Sequence, residues 1–354
     1  MMTFRQIAAR HEFLPVATSW YLADLGEARG KQALFIRQAS QRLKVLREHA
    51  LIESAVSSNR IEGVEVDKTR VATIIFGRPL LRNRNEEEVA GYREALKLIH
   101  EQGIALSVSE KTILTLHRLA LWEIGYAGKY KEKDADIIQK YPDGTSRIRF
   151  KTVSAVETPA AMKELLDLWD LALRERWIHP LVALAAFNLD FLCVHPFRDG
   201  NGRVSRLLFL LMCYHFGYEV GRYISLERLI EQYKERYYET LEQSSQFWHE
   251  GKHAPWPFIN YYLFILKTAC QEFEERLSQT KEPKGAKAEL VLNTIRKQTG
   301  DFRLSDIERA CPSVGRDWIR SLLSNLKASG ELTCQGRGPA ARWHYHDGKG
   351  STSK

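Results

Sequence analysis

Hydrophobic positions are densest near the middle of the chain. Leu181–Val194 is apolar except for Asn188 and Asp190, and Leu207–Cys213 is apolar throughout. Runs of this length and character predict two buried helices. The polar segment between them, His195 to Arg206, then becomes a loop that opens into the N-terminus of the second helix. Upstream, Ala50–Gly63 predicts a helix whose C-cap is Gly63, with Glu62 in its last turn. Pro142-Asp143-Gly144 is a strong turn signal, and Arg147-Ile148-Arg149-Phe150 alternates as a strand does, which predicts a β-hairpin. A lone two-stranded unit is marginal by itself, so the hairpin is either a surface excursion or a functional element. Tyr233, Tyr237 and Tyr238 fall at helical spacing and read first as packing residues. Phe247-Trp248, Trp256-Pro257-Phe258 and Tyr261-Tyr262 read as a packing seam.

The turn His195-Pro-Phe-Arg-Asp199-Gly200-Asn201-Gly202-Arg203-Val-Ser205-Arg206 carries the densest chemistry. Gly200 and Gly202 open backbone angles closed to other residues, and Asn201 tolerates the left-handed region. Successive N–H groups can then converge into a phosphate-sized nest at a helix N-terminus. Arg203 and Arg206 lie three apart and share one face of the first turns. Cations there oppose the helix dipole, at about 0.3–1 kcal/mol each, unless an anion sits above them. Asp199 is read as a hard oxygen ligand for Mg²⁺ bridging phosphate oxygens. His195 precedes proline, which predicts an extended conformation at the mouth of the turn. With an ordinary pKa of about 6.5 it suits proton abstraction near neutrality. A solvated Gly-rich helix connection is the competing reading.

The segment His195-x-Phe197-x-Asp199-Gly-Asn-Gly-Arg203-x-x-Arg206 resembles the signature of the Fic-domain family at every defining position. That resemblance implies a mainly α fold: a helical core with a β-hairpin flap over the active site. It implies transfer of AMP from ATP to a Ser, Thr or Tyr hydroxyl of a target protein, or of the chain itself. His195 would be the base, Asp199 the metal ligand, and Gly200, Asn201, Gly202, Arg203, Ser205 and Arg206 the phosphate site. Tyr237 and Tyr238 resemble the family's nucleoside-contacting pair, with Ser245 where some relatives carry asparagine. The flap, with Ile137 and Ile138, would hold an extended target segment by strand addition. The family usually has arginine after its Gly-x-Tyr, where this chain has Lys131. Ser58-x-x-x-Glu62-Gly63 is similar to the inhibitory motif of the subclass whose brake lies in an N-terminal helix. There Glu62 would pair with Arg206 and block seating of the γ-phosphate.

Composition sets the outer limits. The 354 residues suffice for a sizeable core and two or three structural units. We expect an N-terminal helical region carrying the brake over 1–95 and a catalytic core over 96–275. The polar stretch 278–286 reads as a linker. Beyond it come a short helix from Glu289, a second capped by Ser305 and a third from Ser313 to Ser329, ended by Gly330. Glu331–Tyr345 reads as a two-stranded wing. Together 286–346 resembles a small α+β winged-helix module. Arg316, Arg320, Lys327, Arg337 and Arg342 could face DNA phosphates, or the module could dock a protein. Five cysteines without CxxC spacing read as reduced thiols of a cytoplasmic protein. The N-terminus lacks a signal-peptide core, and no apolar run approaches the roughly 18 residues of a membrane span. The net charge of +8 suits an anionic ligand or partner. Readings left open are a DNA-binding regulator with a nucleotide-sensing pocket, phosphotransfer or AMP removal by the same site, and a homodimer.

Overall fold

The computed structural model describes residues 2–10, 14–38, 40–77, 80–122, 124–140, 144–278, 286–296, 298, 300–311, 314–336 and 338–346. The chain divides into two compact units, Met1–Leu277 and Ser278–Lys354. The first contains α1 Thr3–Arg10, α2 Val16–Gln38, α3 Ser40–Ile61, α4 Lys68–Phe76, α5 Arg84–Gln102 and α6 Glu110–Ala120. A hairpin of β1 Ile137–Lys140 and β2 Ser146–Phe150 follows. Then come α7 Thr158–Glu175, α8 Pro180–Val194, α9 Asn201–His215, α10 Leu226–Gln232, α11 Lys234–Ser245 and α12 Trp256–Ser278. The protein is thus mainly helical, as the pattern predicts.

The two apolar runs form α8 and α9, which pack against each other at the centre of the core. Pro180 opens α8 at a position where its missing N–H costs nothing, and the His179 ring accepts from Leu181 N–H at 3.2 Å. Every residue from Leu181 to Val194 is buried. Its two polar side chains are both satisfied, as burial requires. Asn188 donates to Leu184 O at 3.0 Å and accepts from Ser205 Oγ at 2.9 Å. Asp190 accepts from Thr3 N at 2.9 Å, Thr3 Oγ1 at 2.6 Å and Trp248 Nε1 at 2.7 Å. These bonds pin α1 and Trp248 onto α8, although burial still lifts the Asp190 carboxyl to about 6.

Helix α3 packs on α5 and is fastened along its length to α10 and the turn before it. Arg47 donates to Tyr223 OH at 3.1 Å, and Ser54 Oγ to Ser225 Oγ at 2.9 Å. Glu53 pairs with Arg228 at 3.3 Å, and Arg60 with Glu231 at 3.1 Å. The helix ends close to where its sequence predicts, but one residue early: Ile61 is its last residue, Glu62 lies just past it, and Gly63 takes a left-handed conformation with φ 81°.

The hairpin is antiparallel, pairing Ile138 with Ile148 and Lys140 with Ser146, and an irregularity beside Ile137 brings that residue opposite Phe150. Gly144 has φ 83°, and the predicted turn residues Pro142 and Asp143 lie outside the described residues. The aromatic seam is correct for Trp248, Phe258, Tyr261 and Tyr262, which are buried. Phe247 departs from it. A left-handed φ of 59° in the turn after α11 swings its ring into solvent.

The second unit comprises α13 Ala286–Arg296, α14 Leu304–Ala310, α15 Arg316–Ala328, β3 Leu332–Gln335 and β4 Arg342–Tyr345. Phe302 and Trp343 exchange backbone bonds at 2.9 and 2.8 Å, adding a short third element beside β4. Ile295, Ile307, Ile319, Leu323 and Leu332 form its own core. Ser305 is not the cap of α14. The cap is Arg303, whose N–H is satisfied by the Asp306 carboxylate at 2.8 Å, so the helix begins one residue before the serine. α15 starts at Arg316 after Gly315; Ser313 and Arg337 lie outside the described residues. Arg316 faces Glu308 at 3.5 Å and Arg320 faces Asp317 at 3.7 Å, while Lys327 and Arg342 are exposed.

Candidate active site

The turn between α8 and α9 is built by its own side chains. Asn201 is buried, and its amide makes two bonds to one residue: Oδ1 accepts from Phe197 N–H at 2.9 Å and Nδ2 donates to Phe197 O at 2.8 Å. Asn201 therefore staples the turn shut as the first residue of α9, and Gly200, with φ 83°, supplies the left-handed step before it. His195 departs from its predicted extended conformation. It is left-handed, φ 52° and ψ 60°, because its N–H closes the end of α8 on Phe191 O at 2.9 Å. Helix termination prevails there over the pre-proline preference. His117, which sequence reasoning missed, braces the turn from α6. Its ring stacks on Phe197 at 3.7 Å, accepts from Gly128 N–H at 2.8 Å and donates Nε2–H to Asp199 O at 3.0 Å.

The two arginines are both buried but diverge. Arg203 turns to α5, where it pairs with Glu88 and stands 3.2 Å from Asp199 Oδ2. Arg206 turns to α3. Its Nε donates to Ser58 Oγ at 2.8 Å, and its Nη2 to Ser58 O at 3.0 Å and Glu62 Oε1 at 2.7 Å. Burial opposes the charge of Arg206, yet Glu62, with Tyr92 and Tyr237 beside it, holds its pKa above the ordinary guanidinium value. Two buried donors at this place have no protein partner, Arg203 Nε and Arg206 Nη1. Orphaned cationic donors carry a desolvation cost that an anion would remove. Gly202 marks the same spot: a Cβ there would collide with Glu62 Oε1 and lie 3.1 Å from Arg206 Nη1. Gly200 also offers no side chain to cap the first-turn amides of α9.

A cavity of about 320 Å³ opens beside this spot. His195, Gly202, Arg206 and Glu62 line one part of it. Tyr237 and Tyr238 of α11, with Ile137 and Arg149 of the hairpin, line the rest. Arg149 holds the hairpin down, donating to Tyr238 O at 3.0 Å. Ile138 is 56% exposed on the outer face of the hairpin. Ser205, grouped with the phosphate site in the sequence, lies in the core instead, facing Asn188 and Tyr262. Asp199 does not line the cavity. Its side chain is 52% exposed, and Oδ1 accepts from Gly200 N–H at 2.6 Å. A larger hollow of about 720 Å³, edged by Arg47, Arg93 and Arg222, contains none of the signature residues.

His195 carries a neutral ring with one nitrogen left as an acceptor. Its Nδ1 lies 3.4 Å from Leu192 O, an acceptor only, so Nδ1 carries the proton and Nε2 keeps its lone pair. Burial, reinforced by the Lys131 ammonium, lowers its pKa to about 4, so the ring is neutral at pH 7. Glu88 and Asn59 join His117 among the residues that complete the site without a signal of their own, and Lys131 joins them with only its place after Gly-x-Tyr to mark it. Asn59 lies 3.4 Å from Arg203, and Glu88 is one acid in the run Glu86-Glu87-Glu88.

The fold is that of Fic-family proteins. A Fic family protein from Desulfovibrio desulfuricans G20 superposes with a TM-score of 0.62 at 23% identity, covering 96% of this chain and 99% of that one. Fic-1 from C. elegans superposes with a TM-score of 0.57 at 20% identity over 75% of this chain and 74% of that one. Residues 107–213 match the model of the Fic/DOC family, so this part of the chain is a Fic domain. Among curated proteins, Protein adenylyltransferase Fic of Drosophila sechellia is 21% identical over 292 residues, 75% of this chain and 55% of that protein. That of Drosophila mojavensis is 24% identical over 203 residues, 56% of this chain and 38% of the relative. The chain thus spans about half the length, or less, of the curated relatives it matches. Among the described residues, no helix is long and apolar enough to cross a membrane.

Proposed function

We propose that this protein transfers AMP from ATP to a hydroxyl side chain of a target protein, and that Glu62 restrains the reaction. The observation that carries the reading is one cavity shared by a neutral imidazole and a buried guanidinium, with a carboxylate on the guanidinium. The target hydroxyl gives its proton to His195 Nε2 as its oxygen attacks the α-phosphorus, and the bond to the β,γ-pyrophosphate breaks. Positioning and charge neutralisation do most of such work at phosphorus. Arg206 and the amides of α9 would take the departing phosphates once Glu62 yields. Arg203, held by Glu88, would act from its buried Nε and through Asp199. Tyr237 and Tyr238 would bound the nucleoside, and the hairpin would hold the target segment at Ile137 and Ile138.

A magnesium ion suits the donor set modestly. Mg²⁺ with a nucleotide commonly uses one or two carboxylates plus phosphate oxygens, and Asp199 supplies one half-exposed carboxylate beside Gly200. Among the described residues no group of three or more acid, histidine or cysteine side chains could hold a metal by itself. When bound, the ion would offset phosphate charge.

The test is incubation with Mg²⁺ and ATP labelled at the α or the γ position. Protein-bound label from α only supports AMP transfer. Label from γ makes the enzyme a phosphotransferase, and release of pre-attached AMP would mark the reverse activity. His195→Ala should abolish the α signal.

For the second unit we propose a winged-helix module, on the order of three helices and a hairpin with Phe302 bridging to β4. The exposed Arg316, Arg320 and Lys327 of α15 favour a polyanionic partner, read out as salt-dependent binding to duplex DNA. Cytoplasmic residence belongs to the same proposal.

A further inference from the structure

Lys131 is a buried lysine, 5% exposed, one residue beyond Tyr130 in the segment before the hairpin. A buried ammonium is costly unless its donors are used. Here a single residue, His195, is flanked by two of the contacts of Lys131. Its Nζ donates to Val194 O at 3.3 Å, the carbonyl just before His195. Its own backbone N–H donates to Pro196 O at 2.9 Å, the carbonyl just after. The ammonium also donates to Thr152 Oγ1 at 2.9 Å, and Thr152 in turn donates to Ala135 O at 3.2 Å. Thr152 N–H is held by Asp136 Oδ1 at 3.1 Å, at the foot of β1 and β2.

We propose that Lys131 is a positioning residue for His195: it clamps the chain on both sides of the imidazole, sets a fixed cation behind it and joins that clamp to the base of the hairpin. The proposal rests on the reading of His195 as the proton acceptor. The charged groups acting on the imidazole are Lys131, which disfavours its protonation, and Glu62 and Asp199, which favour it. Lys131 itself is drawn down by burial to about 8, while Asp134 and Asp136 pull the other way, so it remains mostly cationic at pH 7. Mere packing would be met by any side chain of similar length. The clamp needs a donor, and the field needs a charge.

Two readouts on the full chain test this. In the ligand-free protein, NMR titration of the His195 ring, assigned by its loss in His195→Ala, is compared with Lys131→Met, Lys131→Gln and Lys131→Arg. We expect the ring to titrate about one pH unit or more higher in the Met and Gln variants, and near its native value in the Arg variant. In a Glu62→Gly background, the acid limb of kcat for AMP transfer should move up by the same interval in Lys131→Gln while KM for ATP holds. Gln keeps a donor for Thr152, so it remains informative if the Met variant does not fold. An unchanged ring titration in folded Lys131→Gln overturns the proposal, as does a titration in Lys131→Arg that follows Gln. The ring titration needs no turnover, so absence of AMP transfer in every variant would sink the functional reading and leave the clamp tested by NMR alone.

Discussion

Glu62 fills the space that a side chain at Gly202 would need: its Oε1 sits against the glycine while accepting from Arg206 Nη2 at 2.7 Å. A carboxylate seated there competes with any phosphate for the same guanidinium. Hydrogen bonds to charged groups contribute about 1.5–3 kcal/mol, or roughly 10- to 100-fold in rate if lost from the resting state alone. Glu62→Gly should therefore raise α-label incorporation by at least about tenfold. An unaltered rate would remove the restraint from the account.

Gly202→Ala separates the seat from its occupant. In a Glu62→Gly background the new methyl has no carboxylate to meet, but it projects toward Arg206 Nη1 at 3.1 Å. ATP affinity, measured by calorimetry, should fall relative to Glu62→Gly alone. Thermal stability should not, because alanine is better than glycine in a helix by about 0.5–1 kcal/mol.

Arg203 and Glu88 form a buried pair, and removing Glu88 leaves Arg203 with only the half-exposed Asp199 carboxylate and Asn59. Glu88→Gln is expected to cost about 3–5 kcal/mol in urea unfolding. The double change Glu88→Leu with Arg203→Met should recover much of that loss, since apolar groups of similar size often replace buried ion pairs without penalty. A double variant no more stable than Glu88→Gln would count against the pair as the source of the cost.

Acid should weaken the fold. Burial lowers His100, His117 and His195 to about 4, against roughly 6.5 in an unfolded chain. Their contribution is complete above about pH 6.5 and disappears as pH falls toward 4, because only the unfolded chain binds those protons. Asp190 opposes them: raised by burial to about 6, it favours the folded state at low pH and loses that contribution as pH rises through 6. Three groups against one give a net loss, so urea midpoints should drop stepwise between pH 6 and 4. A flat or rising profile contradicts this balance.

The sequence was most informative where a local rule had a single solution. Apolar runs with no polar face forced α8 and α9 inward, and a glycine at the end of a periodic stretch terminated α3. Glu62 and Arg206, distant in the chain, were brought together by a resemblance and meet in the structure. Glu88 and His117 were not legible as parts of the site, and Lys131 showed only as a lysine where an arginine was expected. Each acts through a contact with the turn that only the packing of α5, α6 and the pre-hairpin segment creates. His195 was misjudged in conformation because a dipeptide preference was weighed without the helix end it had to close.

Under the proposed restraint, the fastening of α3 decides how Glu62 would leave Arg206. Arg47, Glu53, Ser54 and Arg60 tether that helix to its neighbours over almost four turns, so withdrawing it bodily would mean rupturing every tether together. Glu62 lies beyond the last helical residue with its side chain 29% exposed to water. A swing about its own side-chain bonds would leave all those tethers intact, so the proposed restraint is a rotating pawl on a fixed arm.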